Sequence, residues 1–264
     1  MSTPMLEIRS LGKRFPARAG REPPPWIIQD MSFSVGAGEL LTIVGPSGAG
    51  KSTLLNIVAQ IDTASAGEIA FDGERIASPE MKALHPGLNR RIGYVTQDDN
   101  LLPWRTTIDN VLFPVEVQGR LNDTTRAQAD VLVRAVGLAG FERYYPHELS
   151  GGMRKRAALI RTLAYDPPVI LMDEPFAAVD AQTRTQLQAD LLTLWGLGRK
   201  TIIFVTHDIT EAIALGDRAL VLSRQPTRIA AEHAIPIPRP RNVQDIFALE
   251  GFATVYQRIR SDIR

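Results

Sequence analysis

Gly45-Pro46-Ser47-Gly48-Ala49-Gly50-Lys51-Ser52 decides the fold through what stands on either side of it. Before it, Leu40-Leu41-Thr42-Ile43-Val44 is apolar almost throughout, as in a strand covered on both faces. After it, Leu54, Ile57, Val58 and Ile61 recur at the spacing of one buried helical stripe. A buried strand, a glycine-rich turn and an amphipathic helix are the context in which GxxxxGK[ST] binds phosphate. The glycines let the backbone curl so that successive N–H groups face an anion. A helix starting at Lys51 adds the positive end of its dipole. Lys51 supplies a mobile positive charge for outer phosphates, and Ser52, followed by Thr53, offers a hydroxyl to Mg2+.

A second chemical stretch is Val169-Ile170-Leu171-Met172-Asp173-Glu174. A carboxylate at the end of a buried strand holds Mg2+, commonly through water, and Asp173 fits that role. Glu174 beside it is suited to orient or deprotonate an attacking water.

Working outward, Leu6-Glu7-Ile8 and Met31-Ser32-Phe33-Ser34-Val35 alternate like strands with one wet face, and the proline-rich residues 16–25 between them predict a surface loop. Ile92-Gly93-Tyr94-Val95-Thr96 reads as a strand ending at Gln97, and residues 101–164 as mainly helical. Asn122 or Asp123 caps one helix there, and Ser150 caps another that Pro167-Pro168 stops. Residues 201–205 form a further buried strand after a helix carrying Leu187, Leu191 and Leu194, and residues 219–222 form the last core strand. Phe252, Val255, Tyr256 and Ile259 give the tail a core-packing helical stripe. Strands alternating with helices imply a mainly parallel sheet with a helical block inserted.

The 264 residues suit one large domain or two small ones, and 44% hydrophobic with 22% charged residues excludes a disordered chain. A net charge of +1 gives no general pull toward nucleic acid, so none is expected as a partner. Without cysteine there is no disulfide, thiolate catalysis or cysteine metal site. Apolar runs such as Ile202-Ile203-Phe204-Val205 are far below the ~20 residues of a membrane span. The start MSTPMLEIRS lacks the pattern of a signal peptide, and a cytosolic protein is expected.

Leu149-Ser150-Gly151-Gly152-Met153 alone is a good helix cap, but it stands shortly upstream of the Asp173-Glu174 strand in a chain with a phosphate loop. There the sequence resembles the nucleotide-binding subunits of ABC transporters, over residues 6–221 and in five ordered motifs. The resemblance implies an α/β fold of the P-loop NTPase class: a RecA-like core with a mainly parallel sheet, an antiparallel β subdomain and an inserted helical subdomain. One nucleotide-binding domain would span residues 1–264, with the core at 1–98 and 166–225, the helical subdomain at 99–165, and a tail at 226–264 packing on the core. ATP and Mg2+ are the implied ligands, and a second copy of the chain the implied partner. Ser150, Gly151 and Gly152 would close over the γ-phosphate bound on the opposite subunit. Gln97 would sense Mg2+ and the attacking water, His207 would contact the γ-phosphate and position Glu174, and Asp180 would communicate across the dimer. Phe15 either stacks on adenine or packs as an ordinary strand residue. His85, His147 and His233 carry no motif and are expected at the surface.

Leu101-Leu102-Pro103-Trp104, Ser150-Gly151-Gly152-Met153-Arg154, Asp173-Glu174-Pro175-Phe176 and Pro238-Arg239-Pro240-Arg241 resemble importers of the nitrate/sulfonate/taurine type. In that group a membrane permease docks near residues 97–104, with Trp104 as its aromatic anchor unless that ring is buried in the helical subdomain. A periplasmic or lipid-anchored binding protein is the indirect partner, and the cytoplasmic face of the inner membrane the expected location. Exporter subunits and soluble ABC ATPases are the alternatives. The chain departs from the group at Lys155 (usually Gln), at Ala177-Ala178-Val179 (usually Gly-Ala-Leu) and at Gln60 (usually Gly), none of which handles phosphate, metal or water.

Overall fold

A computed structural model describes residues 3–16, 22, 24–81, 85 and 87–263. Residues 17–21 and 23 of the expected proline-rich loop lie outside the described residues. In chain order the elements are β1 (Leu6–Lys13), β2 (Ile28–Val35), β3 (Leu40–Val44), α1 (Lys51–Val58), β4 (Ala66–Phe71), β5 (Glu74–Ala77), α2 (Leu88–Arg91) and β6 (Ile92–Val95). There follow α3 (Thr107–Val117), α4 (Asp123–Ala135), α5 (Gly151–Leu163), β7 (Val169–Asp173) and α6 (Ala181–Gly198). The chain ends with β8 (Thr201–Thr206), α7 (Ile209–Leu215), β9 (Arg218–Leu222), β10 (Ile229–Ala234) and α8 (Phe252–Asp262).

Two sheets form. One is antiparallel, in the order β2-β1-β4-β5; the other runs β10-β9-β3-β8-β7-β6, with β10 alone antiparallel to its neighbour. Side chains of the larger sheet alternate between two cores, as the two-residue strand period requires. Leu41, Ile43, Leu171, Ile203 and Val205 face α1 and the antiparallel sheet. Leu40, Val44, Ile170, Met172, Ile202 and Phe204 face a second core shared with α3, α5, α6 and α8. The helical segment thus packs into the core that covers one face of the sheet.

Asn122, not Asp123, caps α4: its side chain accepts from Thr125 N–H at 3.0 Å, and Thr125 Oγ returns the bond to the Asn122 N–H. The tail stripe is as the spacing predicts, with Phe252, Val255 and Ile259 buried. Arg239 and Arg241 of the proline–arginine run collect carbonyls at the end of α7, from Leu215 and from Ile213 and Gly216. They fasten the tail to the core and favour a helix C-terminus as cations do.

Three expectations are corrected. Ile61 lies outside the α1 stripe and is exposed, because α1 ends at Val58 and Gln60 turns left-handed with φ 56°. That conformation costs a residue with a Cβ about 1–2 kcal/mol; the Gln60 side chain offsets it by donating to Ile76 O and accepting from His85 N–H. His85 and His233 are mostly covered rather than surface residues, each at hydrogen-bond distance from a carboxylate: Glu74 at 3.0 Å and Asp262 at 2.8 Å. β9 is followed by an edge strand, β10, whose sequence Ile229-Ala230-Ala231-Glu232-His233-Ala234 lacks the apolar/polar alternation that would announce it. Trp104, by contrast, is 71% exposed, as the reading of it as a surface anchor requires, and is not buried in the helical segment.

Candidate active site

The parallel pairing brings separate segments to one edge. Val44 pairs with Thr206 and with Val221, Asp173 with Val205, and Val95 with Met172. The turns that follow β3, β7, β8 and β6 therefore leave the sheet at its carboxyl edge, where open α/β sheets bind ligands. Those turns carry residues 45–50, Glu174, His207 and Gln97.

The phosphate loop closes on itself through Ala49 N–H, which donates to Pro46 O at 3.1 Å. Gly48 and Gly50 adopt φ 78° and 73°, a left-handed conformation that glycine reaches without penalty. Gly50 is the N-cap of α1 and no side chain caps that helix, so the first N–H groups of α1 stay free for an anion. The loop lines a cleft of about 300 Å³ together with Lys51, Ser52, Thr53, Glu174 and Gln225. Lys51 is 5% exposed; its ammonium donates to Gly45 O at 2.9 Å and Pro46 O at 3.1 Å and lies 3.6 Å from Glu174 Oε1.

Glu174 leaves β7 with φ 44°, a strained backbone for a residue with a Cβ. Its N–H donates to Val205 O at 3.0 Å, which fixes the turn to β8. The carboxylate is held from two sides, by Lys51 and by His207 Nδ1 at 2.7 Å from Oε2. A carboxylate accepts there from Nδ1–H and leaves Nε2 of the exposed imidazole for another partner. Asp173 sits one residue earlier, half-buried, its Oδ2 3.5 Å from the Tyr94 hydroxyl and with the Ser52 side chain nearby. Burial pushes its carboxyl pKa up, and the neighbouring Glu174 adds to the rise.

Ser150, Gly152 and Asp180 lie elsewhere, and Gln97 leaves the same sheet edge without lining the phosphate cleft. Ser150 caps α5 by accepting from Met153 N–H at 3.3 Å, and Asp180 caps α6 by accepting from Thr183 N–H at 2.9 Å, a bond that holds the Asp180 pKa low. Ser150 and Gly152 line a separate cleft of about 530 Å³ with Thr183 and Gln186 of α6. A Cβ on Gly152 would stand 2.8 Å from Thr183 Cγ2, so α5 and α6 approach closely there and a larger residue would displace the Thr183 side chain. Gln97 is exposed on the turn after β6, and Lys155 donates to its carbonyl oxygen. Arg154 adds a bond to Asp99 Oδ2 at 3.1 Å and Arg161 one to Asp99 O at 2.9 Å, so α5 grips this turn at three points. Burial lowers the Lys155 pKa. Phe15 is half-exposed under the Lys13 ammonium, 5.3 Å from its ring centre, and is not among the residues lining the phosphate cleft. Among the residues 177–179 that depart from the usual pattern, the left-handed one is Ala178, with φ 62°.

Sequence reasoning missed Gln225 and Ile27, both of which line the phosphate cleft. The available signal was topological: β9 neighbours β3, so the turn after β9 emerges beside the phosphate loop.

Comparison with known proteins places the chain in a family. The ABC transporter family model matches residues 28–177. An aliphatic sulfonates import ATP-binding protein of Bacillus cereus is 39% identical over 90% of this chain and 89% of its own length. A taurine import ATP-binding protein of Burkholderia pseudomallei is 42% identical over 80% of this chain and 78% of its own. Among solved structures, a dimeric ATP-binding cassette in a post-hydrolysis state bound to ADP and Pi superposes with a TM-score of 0.73, at 30% identity, covering 88% of this chain and 99% of that one.

Proposed function

The chain belongs to the ABC transporter family as an ATP-binding subunit, an ATPase coupled to transport, and from that premise we propose that it drives uptake of a small anionic nutrient of the alkanesulfonate or taurine type. The observation that carries the mechanism is the separation of two clefts on one chain: Lys51, Glu174 and His207 gather at one, Ser150 and Gly152 at the other. A single copy then supplies the chemistry of one site and the closing donors of another. Two copies bind two ATP head to tail, each phosphate loop facing the other copy's Ser150 segment.

Residues 45–53 bind the phosphates through backbone N–H groups, with Lys51 on the outer ones. Glu174 takes the proton of the attacking water while His207 orients its carboxylate and reaches the γ-phosphate. The Ser52 hydroxyl and the Asp173 carboxylate make a hard oxygen pair that fits Mg2+. Among the described residues no group of three or more His, Cys, Asp or Glu side chains is gathered to hold a metal. Bound there, Mg2+ would neutralise charge on the β- and γ-phosphate oxygens.

No helix among the described residues is long and apolar enough to cross a membrane. The permease is a separate partner in this reading, met at the cytoplasmic face of the membrane through exposed Trp104 beside Leu102. The test is growth of a strain lacking the gene on single sulfur and nitrogen sources, with sulfate and ammonium as controls. A defect confined to taurine or alkanesulfonates, restored by the intact gene but not by Glu174→Gln, is the expected result. A defect confined to nitrate would overturn the sulfonate assignment and leave the ATP-driven mechanism standing.

A further inference from the structure

The turn formed by residues 223–228, between β9 and β10, belongs to no phosphate-binding pattern, yet it holds the phosphate loop at two successive carbonyls. Gln225 Nε2–H donates to Gly48 O at 2.8 Å, and Thr227 Oγ–H donates to Ala49 O at 2.7 Å. Thr227 has no exposed surface and serves as a junction. Its N–H donates to Ile27 O at 2.8 Å and its own carbonyl accepts from Gln29 N–H at 3.0 Å, so one residue ties the antiparallel sheet to the loop. Ile27 crowds the same place: a Cβ on Gly50 would lie 2.9 Å from its Cγ2.

In a planar trans peptide the C=O and the following N–H point in opposite directions. Fixing Ala49 C=O on the Thr227 side therefore turns Gly50 N–H to the cleft side, and among the described residues that N–H makes no other hydrogen bond. Fixing Gly48 C=O through Gln225 likewise sets the peptide whose N–H closes the Pro46–Ala49 turn. Both peptides adjoin glycines, the residues with most conformational freedom to lose when an anion orders the loop. A loop already held in its receiving shape loses less on binding.

We propose that Gln225 and Thr227 are positioning residues for the nucleotide: they set the phosphate loop's N–H groups before ATP arrives. The proposal rests on residues 45–53 being the phosphate site. It is tested on the full chain with mant-ADP and Mg2+ by fluorescence titration, with ATPase KM and kcat measured alongside. Thr227→Val is expected to raise the mant-ADP Kd about five- to tenfold, with KM rising in step and kcat falling less. Thr227→Ser, which keeps the hydroxyl, should restore Kd to within about twofold of wild type, and Gln225→Ala at its exposed site should raise Kd about threefold. Lys51→Ala separates the two levels of inference. No binding by the wild type would overturn the phosphate-loop reading itself. Wild-type binding weakened about tenfold or more in Lys51→Ala but unchanged in Gln225→Ala and Thr227→Val would overturn the positioning role alone, even if Thr227→Val melted at a lower temperature. Should Thr227→Val not fold, an unchanged Kd in Gln225→Ala overturns it.

Discussion

The phosphate cleft and the Ser150 cleft are built on one device, a small-residue turn running into a helix N-terminus, and they differ in how that terminus is finished. At α1 no side chain caps the helix, and Lys51 and Glu174 stand at the mouth. At α5 the Ser150 hydroxyl already accepts a backbone N–H, and neighbouring α6 is capped in the same way by Asp180. An uncapped terminus keeps all its first N–H groups for an anion, whereas a capped one has one of them already answered by its own side chain. The difference teaches that the first cleft is a receptor with its own chemistry. The second, in the proposed head-to-tail pair, would offer its polar groups to a nucleotide bound on the other copy. Neither cleft borrows from the other within one copy.

The strongest way to break that division is at the chemistry. Glu174→Gln should lower steady-state phosphate release by about 10²–10⁴-fold while ATP still binds; near-normal turnover would mean that another residue activates the water. Next in size, Lys51→Ala should weaken ATP about 10- to 100-fold in calorimetry, the value of a charged phosphate contact. An unchanged affinity would show that the buried ammonium is a structural brace for Gly45 and Pro46. The division itself is tested by mixing two inactive chains, Glu174→Gln and Ser150→Arg. In a head-to-tail pair each mixed dimer keeps one site with neither change, so activity should return to roughly a quarter of wild type. Continued inactivity of the mixture, with dimers verified, would place both clefts in one site within one copy.

What was legible in the sequence follows the same division. The receptor cleft is written locally, because curling a backbone around phosphate demands glycines, and strands covered on both faces demand unbroken apolar runs. β3, β7 and β8 could be read for that reason. Ile61 misled because its spacing continued the α1 period after Gln60 had ended the helix, and spacing alone does not report a left-handed residue. β4 and β5 are short and half-exposed, but Asp72-Gly73 between them, with φ 50° and 78°, is a two-residue hairpin turn that composition announces. The partners of His85 and His233 lie 11 and 29 residues away in sequence, and those of Gln225 and Thr227 some 177 and 178. Such pairings are made by the sheet order and leave no trace in local spacing.

The smallest effects sharpen the comparison most, since two helix caps of one kind should fail differently. Asn122 has a reciprocal box with Thr125 at 3.0 Å on α4, away from both clefts, whereas Ser150 has a single longer bond of 3.3 Å on α5. Losing a cap costs about 1 kcal/mol, or about 2–4 °C in a chain of this size. Asn122→Ala should therefore lower the melting temperature more than Ser150→Ala does and leave ATP hydrolysis as it was. Ser150→Ala should lower the melting temperature less and hydrolysis more, because in the proposed head-to-tail pair its hydroxyl also faces the other copy's nucleotide. Opposite orders for stability and activity would separate the cap from the contact. Equal hydrolysis in both variants would reduce Ser150 to a helix cap and remove the second cleft from the mechanism.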